Sequence, residues 1–204
     1  MTSGPSSGRP DAAHHTRVRS TCARGGERCL RGYAEPVAIT LRAQLPEDLP
    51  LLTGGDAELV DFGPSAPPPE PRPCRLDDAG ALTIVAEDGQ AAGDVSWHWT
   101  HWGPTRGSRC PNIGIWLRLE YRGKGIGAEA QAELARLLFA HTKTNRVEAS
   151  TEVDNIAEQR ALERAGFTRE GRIRGAMWRG GAHRDAYLYS ILRADSAAVP
   201  DGAR

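Results

Sequence analysis

The sequence predicts an α+β domain, because short strand patterns stand before, between and after two amphipathic helical patterns. The strand patterns alternate apolar and polar residues, and the helical patterns repeat apolar residues at helical spacing. A third observation gives the chain its centre. A basic, glycine-rich turn, Tyr121-Arg122-Gly123-Lys124-Gly125-Ile126-Gly127, joins an apolar strand run to the first helical pattern.

The composition limits the number of domains and the classes of function that the chain can have. The chain has 204 residues and a formal net charge of +0, which suits one domain and argues against non-specific binding to nucleic acid. No apolar run approaches the roughly 18 residues that a spanning helix needs, so we expect no membrane partner. The cysteines have no CxxC spacing, which predicts reduced thiols, a cytoplasmic location and no metal site: Cys22, Cys29, Cys74 and Cys110.

We divide the chain into three regions. Residues 1–34 are rich in Ser, Gly and Arg, which predicts a disordered basic extension. This extension either contacts an acidic partner or is an unselected addition to the domain. The folded domain is expected at residues 35–193, and residues 194–204 are expected to form a flexible C-terminal tail.

The domain opens with a predicted strand at Val37–Leu41, followed by a hint of a short helix and a long proline-rich loop from Pro46 to Ala81. Only Arg72 and Arg75 are basic in this loop. Its acidic residues are Glu47, Asp48, Asp56, Glu58, Asp61, Glu70, Asp77 and Asp78. Such a loop is expected to attract a cationic substrate, and a merely solvated loop is an equal alternative.

A predicted hairpin comes next, with strands at Leu82–Ala86 and Ala91–Trp102. The period of two divides the second strand into two faces. One carries Trp97, Trp99 and His101, and the other carries His98, Thr100 and Trp102. We expect one face in the core, while the other either packs as well or forms the aromatic wall of a substrate site.

The remaining elements surround two helices, at Ile126–His141 and from Asn155 to Gly166. Asn155 as N-cap and Glu158 three residues later fit a capping box, and Gly166 suits the left-handed residue that ends a helix. The remaining strands are predicted at Asn112–Leu119, Arg146–Val153, Phe167–Trp178 and Tyr187–Leu192.

The glycine-rich turn predicts an anion site. Glycines let the backbone approach a ligand closely, and a helix that starts here directs unpaired N–H groups and the positive end of its dipole toward that ligand. Arg122 and Lys124 add positive charge. A phosphate is the expected ligand, and the alternative is an ordinary strand-to-helix turn with two solvated cations.

The order of elements and two motifs resemble the GNAT acetyltransferase family. Arg122, Gly125 and Gly127 match its cofactor signature Q/R-x-x-G-x-G/A, and Asn155 followed by Gly166-Phe167 matches a second signature. The stretches NIGIWLRLEYRGKGIGAEA, RVEASTEVDN and RALERAGFTREGRIR are similar to the branch of ribosomal-protein N-terminal (RimJ/RimL-like) acetyltransferases. Over roughly Pro36 to Arg193, the resemblance implies a mixed, mostly antiparallel sheet flanked by helices, with strands splayed at the cofactor site.

The resemblance also implies acetyl-CoA as the acyl donor. Its pyrophosphate would lie on Arg122, Gly123, Lys124, Gly125, Ile126 and Gly127. Its pantetheine arm would pair with the strand at Leu117 to Leu119, where that strand splays from the one ending near Val153. Asn155 would hydrogen-bond the arm, or would cap the helix instead.

The catalytic groups depart from the family pattern. Leu162 stands where many relatives carry a tyrosine, Glu158 stands where the ribosomal-protein branch often carries a serine, and Asn112 stands where many relatives carry a glutamate. Glu158 is a candidate acid if burial raises its pKa. His98 and His101 are candidate bases acting through water. Catalysis by positioning alone is the alternative.

We therefore predict an acetyl-CoA-dependent N-acetyltransferase, an acyltransferase that acts on a primary amine. The acidic loop and the tryptophan strand favour a small polar or cationic metabolite, such as an antibiotic or a biosynthetic intermediate. The alternatives are a protein N-terminal α-amino acetyltransferase and a non-catalytic acyl-CoA-binding module. We expect no metal, no nucleic-acid partner and no membrane partner, and we allow for a homodimer.

Overall fold

A seven-stranded sheet with two main helices forms the domain in a computed structural model, which describes residues 37–52 and 70–197. The strands are β1 (Ile39–Ala43), β2 (Gly80–Ala86), β3 (Ala91–His101), β4 (Arg109–Leu117), β5 (Arg146–Glu152), β6 (Thr168–Arg179) and β7 (Ala182–Leu192). The α-helices are α1 (Ile126–His141), α2 (Ile156–Arg164) and α3 (Arg193–Ala197). Short 3-10 helices cover Pro46–Leu51, Arg106–Ser108 and Leu119–Tyr121.

The sheet is mixed and mostly antiparallel, as predicted. Its order is β1-β2-β3-β4-β5-β7-β6, and β4 and β5 form its one parallel pair among the described residues. Parallel neighbours need a crossover connection, and α1 supplies it between β4 and β5. The glycine-rich turn lies at the start of this crossover, just after the C-terminal end of β4.

The parallel pair opens into the predicted splay. Asn112 pairs with Glu148 and Ile113 pairs with Ala149, and the pairing stops there. On its other side β4 stays paired with β3 from Arg109 to Leu117. Residues 114–117 therefore keep one edge of β4 without a strand partner, and this edge faces the gap that widens toward the glycine-rich turn.

The two faces of the sheet have different roles. Ile115 and Leu117 lie on the face that α1 covers, because both lie beside Gly127 of that helix. We call this the helix face. The fully buried residues Ile84, Leu134 and Leu138 belong to the core on this side. Alternation along β4 places Asn112 on the other face, which we call the Asn112 face.

The tryptophan strand follows the predicted division into two faces. Trp97 is 3% exposed and lies on the helix face, where its Nε1 donates to the Arg75 carbonyl at 3.2 Å. Trp99 lies on the same face and donates to the Leu76 carbonyl at 3.2 Å. Trp102 lies on the Asn112 face with 66% of its surface exposed. One face of this strand therefore packs in the core, and the other carries the exposed indole ring of Trp102.

Helix α2 begins and ends at the predicted signals. Asn155 Oδ1 accepts a hydrogen bond from the Glu158 backbone N–H at 3.2 Å. At the other end Gly166 has φ +92°, and the Phe167 N–H donates to the Leu162 carbonyl at 3.0 Å. These bonds close a Schellman motif, which turns the chain directly into β6.

Several predicted boundaries need correction. The first strand starts at Ile39 rather than Val37, and β4 starts earlier, at Arg109, because it pairs with all of the outer half of β3. Strand β7 starts at Ala182 instead of Tyr187, because the turn at Gly180-Gly181, with φ of +56° and +73°, lets pairing with β6 begin at once.

Some predictions fall outside the described residues. These are the extension at residues 1–34, the acidic stretch at residues 53–69 and the last part of the tail at residues 198–204. Helix α3 extends to Ala197, into the predicted tail. None of the helices in residues 37–52 and 70–197 combines the length and the apolar character that crossing a bilayer requires. Cys74 and Cys110 are free thiols, and Cys110 is buried.

The Schellman motif gives a stability prediction. Gly166→Ala is expected to lower the free energy of unfolding by about 1 to 2 kcal/mol, because a Cβ is strained in the left-handed region. Gly171→Ala is the control, since that glycine has no positive φ and a Cβ there meets nothing within 4 Å. Urea denaturation of both variants checks this, and equal losses would show that the left-handed conformation is not the cause.

Candidate active site

The glycine-rich turn presents free backbone donors. Gly123 and Gly125 are left-handed, with φ of +72° and +85°, and Gly125 is the N-cap of α1. Within the described chain, the backbone N–H groups of residues 123–127 donate to no protein acceptor. A row of unpaired N–H groups at the start of a helix of 16 residues is a strong site for an anion.

The two cations of the turn are exposed, and each also contacts the protein. Arg122 Nε donates to the Leu117 carbonyl at 2.9 Å, so its guanidinium folds back over the end of β4. Lys124 Nζ lies 5.4 Å from the centre of the Tyr121 ring. Both side chains belong to the same turn as the free N–H groups.

Gly127 lies where the turn, β4 and α2 meet. A Cβ at this position would lie 3.5 Å from Leu117 Cδ1, 3.7 Å from Ile115 Cδ1 and 4.0 Å from Ala161 Cβ. The missing side chain therefore opens a narrow space between β4 and α2.

The structure corrects the position of Leu119. The sequence predicts Leu119 in the strand, next to Leu117, but β4 ends at Leu117 and Leu119 begins a 3-10 helix with 59% of its surface exposed. The cause is a local hydrogen bond, because the Tyr121 N–H donates to the Arg118 carbonyl at 3.0 Å and bends the chain. The strand edge that faces the gap is therefore residues 114–117.

Asn155 caps helix α2 with its side-chain oxygen, which leaves its side-chain N–H groups available to a ligand. The cap uses only Oδ1, which accepts from the Glu158 N–H. Within the described residues, the two N–H donors of its Nδ2 have no protein acceptor. An asparagine side chain can cap with its oxygen and donate with its nitrogen at the same time, so the two predicted roles are compatible.

The Glu158 side chain does not complete the predicted capping box. The Asn155 N–H, which that carboxyl would accept from, donates instead to the Glu152 carbonyl at 3.0 Å. The Glu158 carboxyl hydrogen-bonds the Gln131 side chain. Burial raises the pKa of the Glu158 carboxyl to about 7, and the bond from Gln131 offsets part of the effect. Glu158 is therefore partly protonated near neutral pH.

Gln131 is a residue that the sequence reasoning missed. It is 1% exposed and lies one turn into α1, where its Nε2 donates to the Gly127 carbonyl at 3.1 Å. It thereby joins the first turns of both helices. The available signal was a polar residue beside Ala130, on the core-facing side of a helical pattern.

The two histidines are not brought together. His98 is exposed on the Asn112 face and pairs directly with Asn112, at the base of the splay. His101 is also exposed, but it lies on the opposite face and pairs with Arg109, at the far end of β4. Asn112 lies three residue steps along the strand from Arg109, or about 10 Å. Only His98 lies near the gap.

Buried carboxylates on the Asn112 face all have arginine partners. Asp94 is bonded to Arg72 at 2.6 Å, Glu148 to Arg146 at 2.5 Å and Glu152 to Arg179 at 2.6 Å. Burial raises the pKa of the Asp94 carboxyl, and the charge of Arg72 offsets part of this rise. Glu148 Oε1 also accepts from Trp102 Nε1 at 2.7 Å, which fixes that exposed indole on this face.

The arrangement suits a ligand with an anionic end and an amide-bearing chain. The turn offers N–H groups to the anion, and the free edge of β4 offers backbone groups to the chain. Among the described residues, no cluster of His, Cys, Asp or Glu has the geometry to hold a metal ion.

Comparison with known proteins agrees with this geometry. A family model described as the acetyltransferase (GNAT) domain matches residues 39–168. One relative is YdaF of Bacillus subtilis, which is provisionally named a ribosomal N-acetyltransferase. It is 33% identical to this chain over 106 residues, which are 52% of this chain and 56% of YdaF. YjcK of the same organism, named as an N-acetyltransferase, is 35% identical over 83 residues, or 41% of this chain and 46% of YjcK. The chain thus spans about half the length of the curated relatives it matches.

Solved structures show the same fold. The microcin C7 self-immunity acetyltransferase MccE, solved with acetyl-CoA and AMP, has a TM-score of 0.50 and 28% identity, covering 57% of this chain and 62% of MccE. A spermidine N-acetyltransferase SpeG chimera from Vibrio cholerae and hSSAT has a TM-score of 0.59 over 78% of this chain and 97% of the chimera, at 18% identity, which shows the fold alone. Since the family model covers more than half of the sequence, the chain belongs to the GNAT acetyltransferase family.

Proposed function

We propose that this protein is an acetyl-CoA-dependent N-acetyltransferase that acts on a primary amine. One observation carries the proposal: free N–H groups at residues 123–127 lie beside an unpaired strand edge at residues 114–117. Acetyl-CoA has a pyrophosphate for the first and an amide-bearing pantetheine arm for the second. Membership of the GNAT family, and the acetyl-CoA in the structure of the similar MccE, support the same donor.

The residues of the donor site follow from this placement. The pyrophosphate would bind the N–H groups of residues 123–127, with Arg122 and Lys124 adding charge. The pantetheine arm would pair with residues 114–117 and receive a hydrogen bond from Asn155 Nδ2. Leu117 would contact the arm from the strand edge, and Leu119 stays a proposed contact from the 3-10 helix that follows β4.

The chemistry requires a neutral amine that attacks the thioester carbonyl and an acid that protonates the departing sulfur. Glu158 is the proposed acid, because its pKa of about 7 leaves part of it protonated at neutral pH and because it lies in the first turn of α2, where the splayed strands open. His98 is the proposed acceptor of the amine proton, through water, from the Asn112 face. His101 has no proposed role, since it lies on the other face.

Two classes of acceptor fit, and one is better supported. A small cationic metabolite is the expectation from the acidic stretch, of which residues 53–69 lie outside the described residues. The buried carboxylates Asp94, Glu148 and Glu152 on the Asn112 face have arginine partners, so they offer a cation no free charge. The sequence similarity to YdaF, a protein named for ribosomal N-acetylation, favours a protein N-terminus. We therefore favour the α-amine of a protein chain as acceptor, with the metabolite amine as the second candidate.

An assay of CoA release tests the function directly. The protein is incubated with acetyl-CoA and a matched panel of acceptors: short peptides with free N-termini, the same peptides N-formylated, and polyamines. Release with the free peptides alone supports the favoured acceptor, and release with polyamines alone supports the metabolite. Tight acetyl-CoA binding without release on any amine would instead identify a non-catalytic acyl-CoA-binding module.

Charge reversal tests the placement of the pyrophosphate. Lys124→Glu is expected to raise the Kd for acetyl-CoA about tenfold, because it places a carboxylate beside the anion. Lys143→Glu is the matched control, since it reverses an exposed lysine beyond the other end of α1. Isothermal titration measures both, and the difference should shrink as salt rises. If the two variants bind equally well, the anion does not bind at this turn.

The raised pKa of Glu158 gives a pH-dependent stability prediction. The folded-state pKa of about 7 lies above the ordinary value of 4.5, so the folded state favours the protonated carboxyl. That stabilisation is present below pH 4.5 and is lost as pH rises through 7. Glu158→Gln should therefore gain roughly 2 to 3 kcal/mol relative to the unmodified protein between pH 5 and pH 8.5. A difference that does not change with pH would contradict the raised pKa.

The same substitution tests the catalytic role. Glu158→Gln keeps the backbone cap and the contact with Gln131 but removes the acidic proton, so kcat should fall about a hundredfold with little change in the KM for acetyl-CoA. Glu163→Gln on the same helix is the control, because that carboxylate is exposed. Steady-state CoA release measures both. Equal kcat values for the two variants would show that Glu158 has a structural role and is not the catalytic acid.

A further inference from the structure

Tyr121 ties the glycine-rich turn to the hairpin turn between β2 and β3. Its ring is 8% exposed, and its hydroxyl donates to Asp88 Oδ2 at 2.9 Å. Asp88 belongs to the hairpin turn, where its Oδ1 accepts from the Gln90 N–H at 2.9 Å. The carboxylate is therefore held by its own turn while it bonds the tyrosine of the other turn.

The chain around Tyr121 strengthens this contact. The Arg118 N–H donates to the Ala92 carbonyl at 2.9 Å, and its guanidinium donates to the Ala91 carbonyl at 2.9 Å. The Arg118 guanidinium and the Lys124 ammonium each lie 5.4 Å from the centre of the Tyr121 ring. The ring thus contacts a cation from each side of the bend that leads into the glycines.

Few interactions of their own fix the backbone conformation of Gly123 and Gly125. Gly123 and Gly125 are left-handed, and glycine has more backbone freedom than any other residue. In the part of the chain that the structure describes, the N–H groups of residues 123–127 have no protein acceptor. In the described residues the turn is held through its flanks, which are the Tyr121–Arg122 segment on one side and α1 on the other. Arg122 bonds the end of β4, and Tyr121 is the side chain that anchors the first flank to the hairpin turn.

Tyr121 and Asp88 contact each other on the side of the turn that faces away from Gly127. A hollow of about 400 Å³ lies on this side, lined by Val37, the end of β2, the hairpin turn, Tyr121, Lys124 and Ile126, with Glu87 and Asp88 on its wall. Two carboxylates against the single ammonium of Lys124 make this hollow a poor site for a diphosphate. Gly127, which opens toward β4 and α2, lies on the other side of the turn. The tyrosine and the aspartate therefore act on the anion site without forming its surface.

We propose that Asp88 and Tyr121 are a positioning pair, which holds the glycine-rich turn in the conformation that binds the pyrophosphate of the acyl donor. The inference rests on the proposed function. A donor that carries the pyrophosphate depends on the pair, and a donor that lacks it does not. Loss of the pair therefore weakens donor binding and leaves the acyl-transfer step unchanged at saturation.

Tyr121→Phe tests the pair, because it removes the hydroxyl and keeps the ring. The expected result is a KM for acetyl-CoA about tenfold higher, with kcat within about twofold of the unmodified protein. With S-acetylpantetheine, a donor that lacks the pyrophosphate, kcat/KM should stay within about twofold. Tyr189→Phe is the matched control, since its buried hydroxyl donates to Glu163 Oε1 at 3.3 Å, and it should leave both donors unaffected.

Asp88→Ala and the double variant complete the test. The double variant should raise the KM for acetyl-CoA no further than the larger single effect, because both substitutions break one contact. If Tyr121→Phe does not fold, Asp88→Ala decides the question with the same two donors. An unchanged KM for acetyl-CoA, or equal losses with both donors, would overturn the positioning pair alone. Absence of acetyl-CoA binding by the unmodified protein would overturn the proposed function as well.

Discussion

Backbone groups without partners are the constraint on which the rest of the structure depends. Folded proteins pair nearly all of their buried backbone N–H and C=O groups. Among the described residues, however, two sets are exceptions: the N–H groups of residues 123–127 have no protein acceptor, and residues 114–117 have no strand partner on the side of β5, where only the Leu117 carbonyl is bonded, by Arg122. The splay of β4 from β5 creates the second set. The left-handed glycines and the start of α1 create the first. A ligand that satisfies both sets must be long and anionic at one end, which is the shape of a coenzyme A thioester.

Much of the remaining structure keeps these groups in place. The pairing of β3 with all of β4 holds the free edge straight, while α1 carries the fully buried Leu134 and Leu138 into the core. Gln131 and Glu158 join the first turns of α1 and α2 beside the gap. A partly protonated carboxyl in this position avoids placing a full buried charge there, and in the proposed function it is the acid that protonates the departing sulfur.

Local signals explain what the sequence could predict. The glycines, the Asn155 cap and the Gly166 stop act through their own backbone conformations, so the glycine-rich turn and both helices were predictable. The Gln131 contact of Glu158 and the Asp88 contact of Tyr121 join distant segments, and no local pattern encodes them. The position of Leu119 was wrong because one hydrogen bond ended β4 early. The separation of His98 from His101 follows from strand period, but only the pairing with β4 showed which one lies near the gap.

The central claim is that the free backbone N–H groups bind the acyl donor. Amide NMR of the labelled protein, titrated with acetyl-CoA, tests it at those same groups. The account predicts saturable shifts that are largest at residues 123–127 and extend along residues 114–117, while residues near Lys143 stay unchanged. Saturable shifts confined to other parts of the chain, or no saturable shift at all, would contradict it.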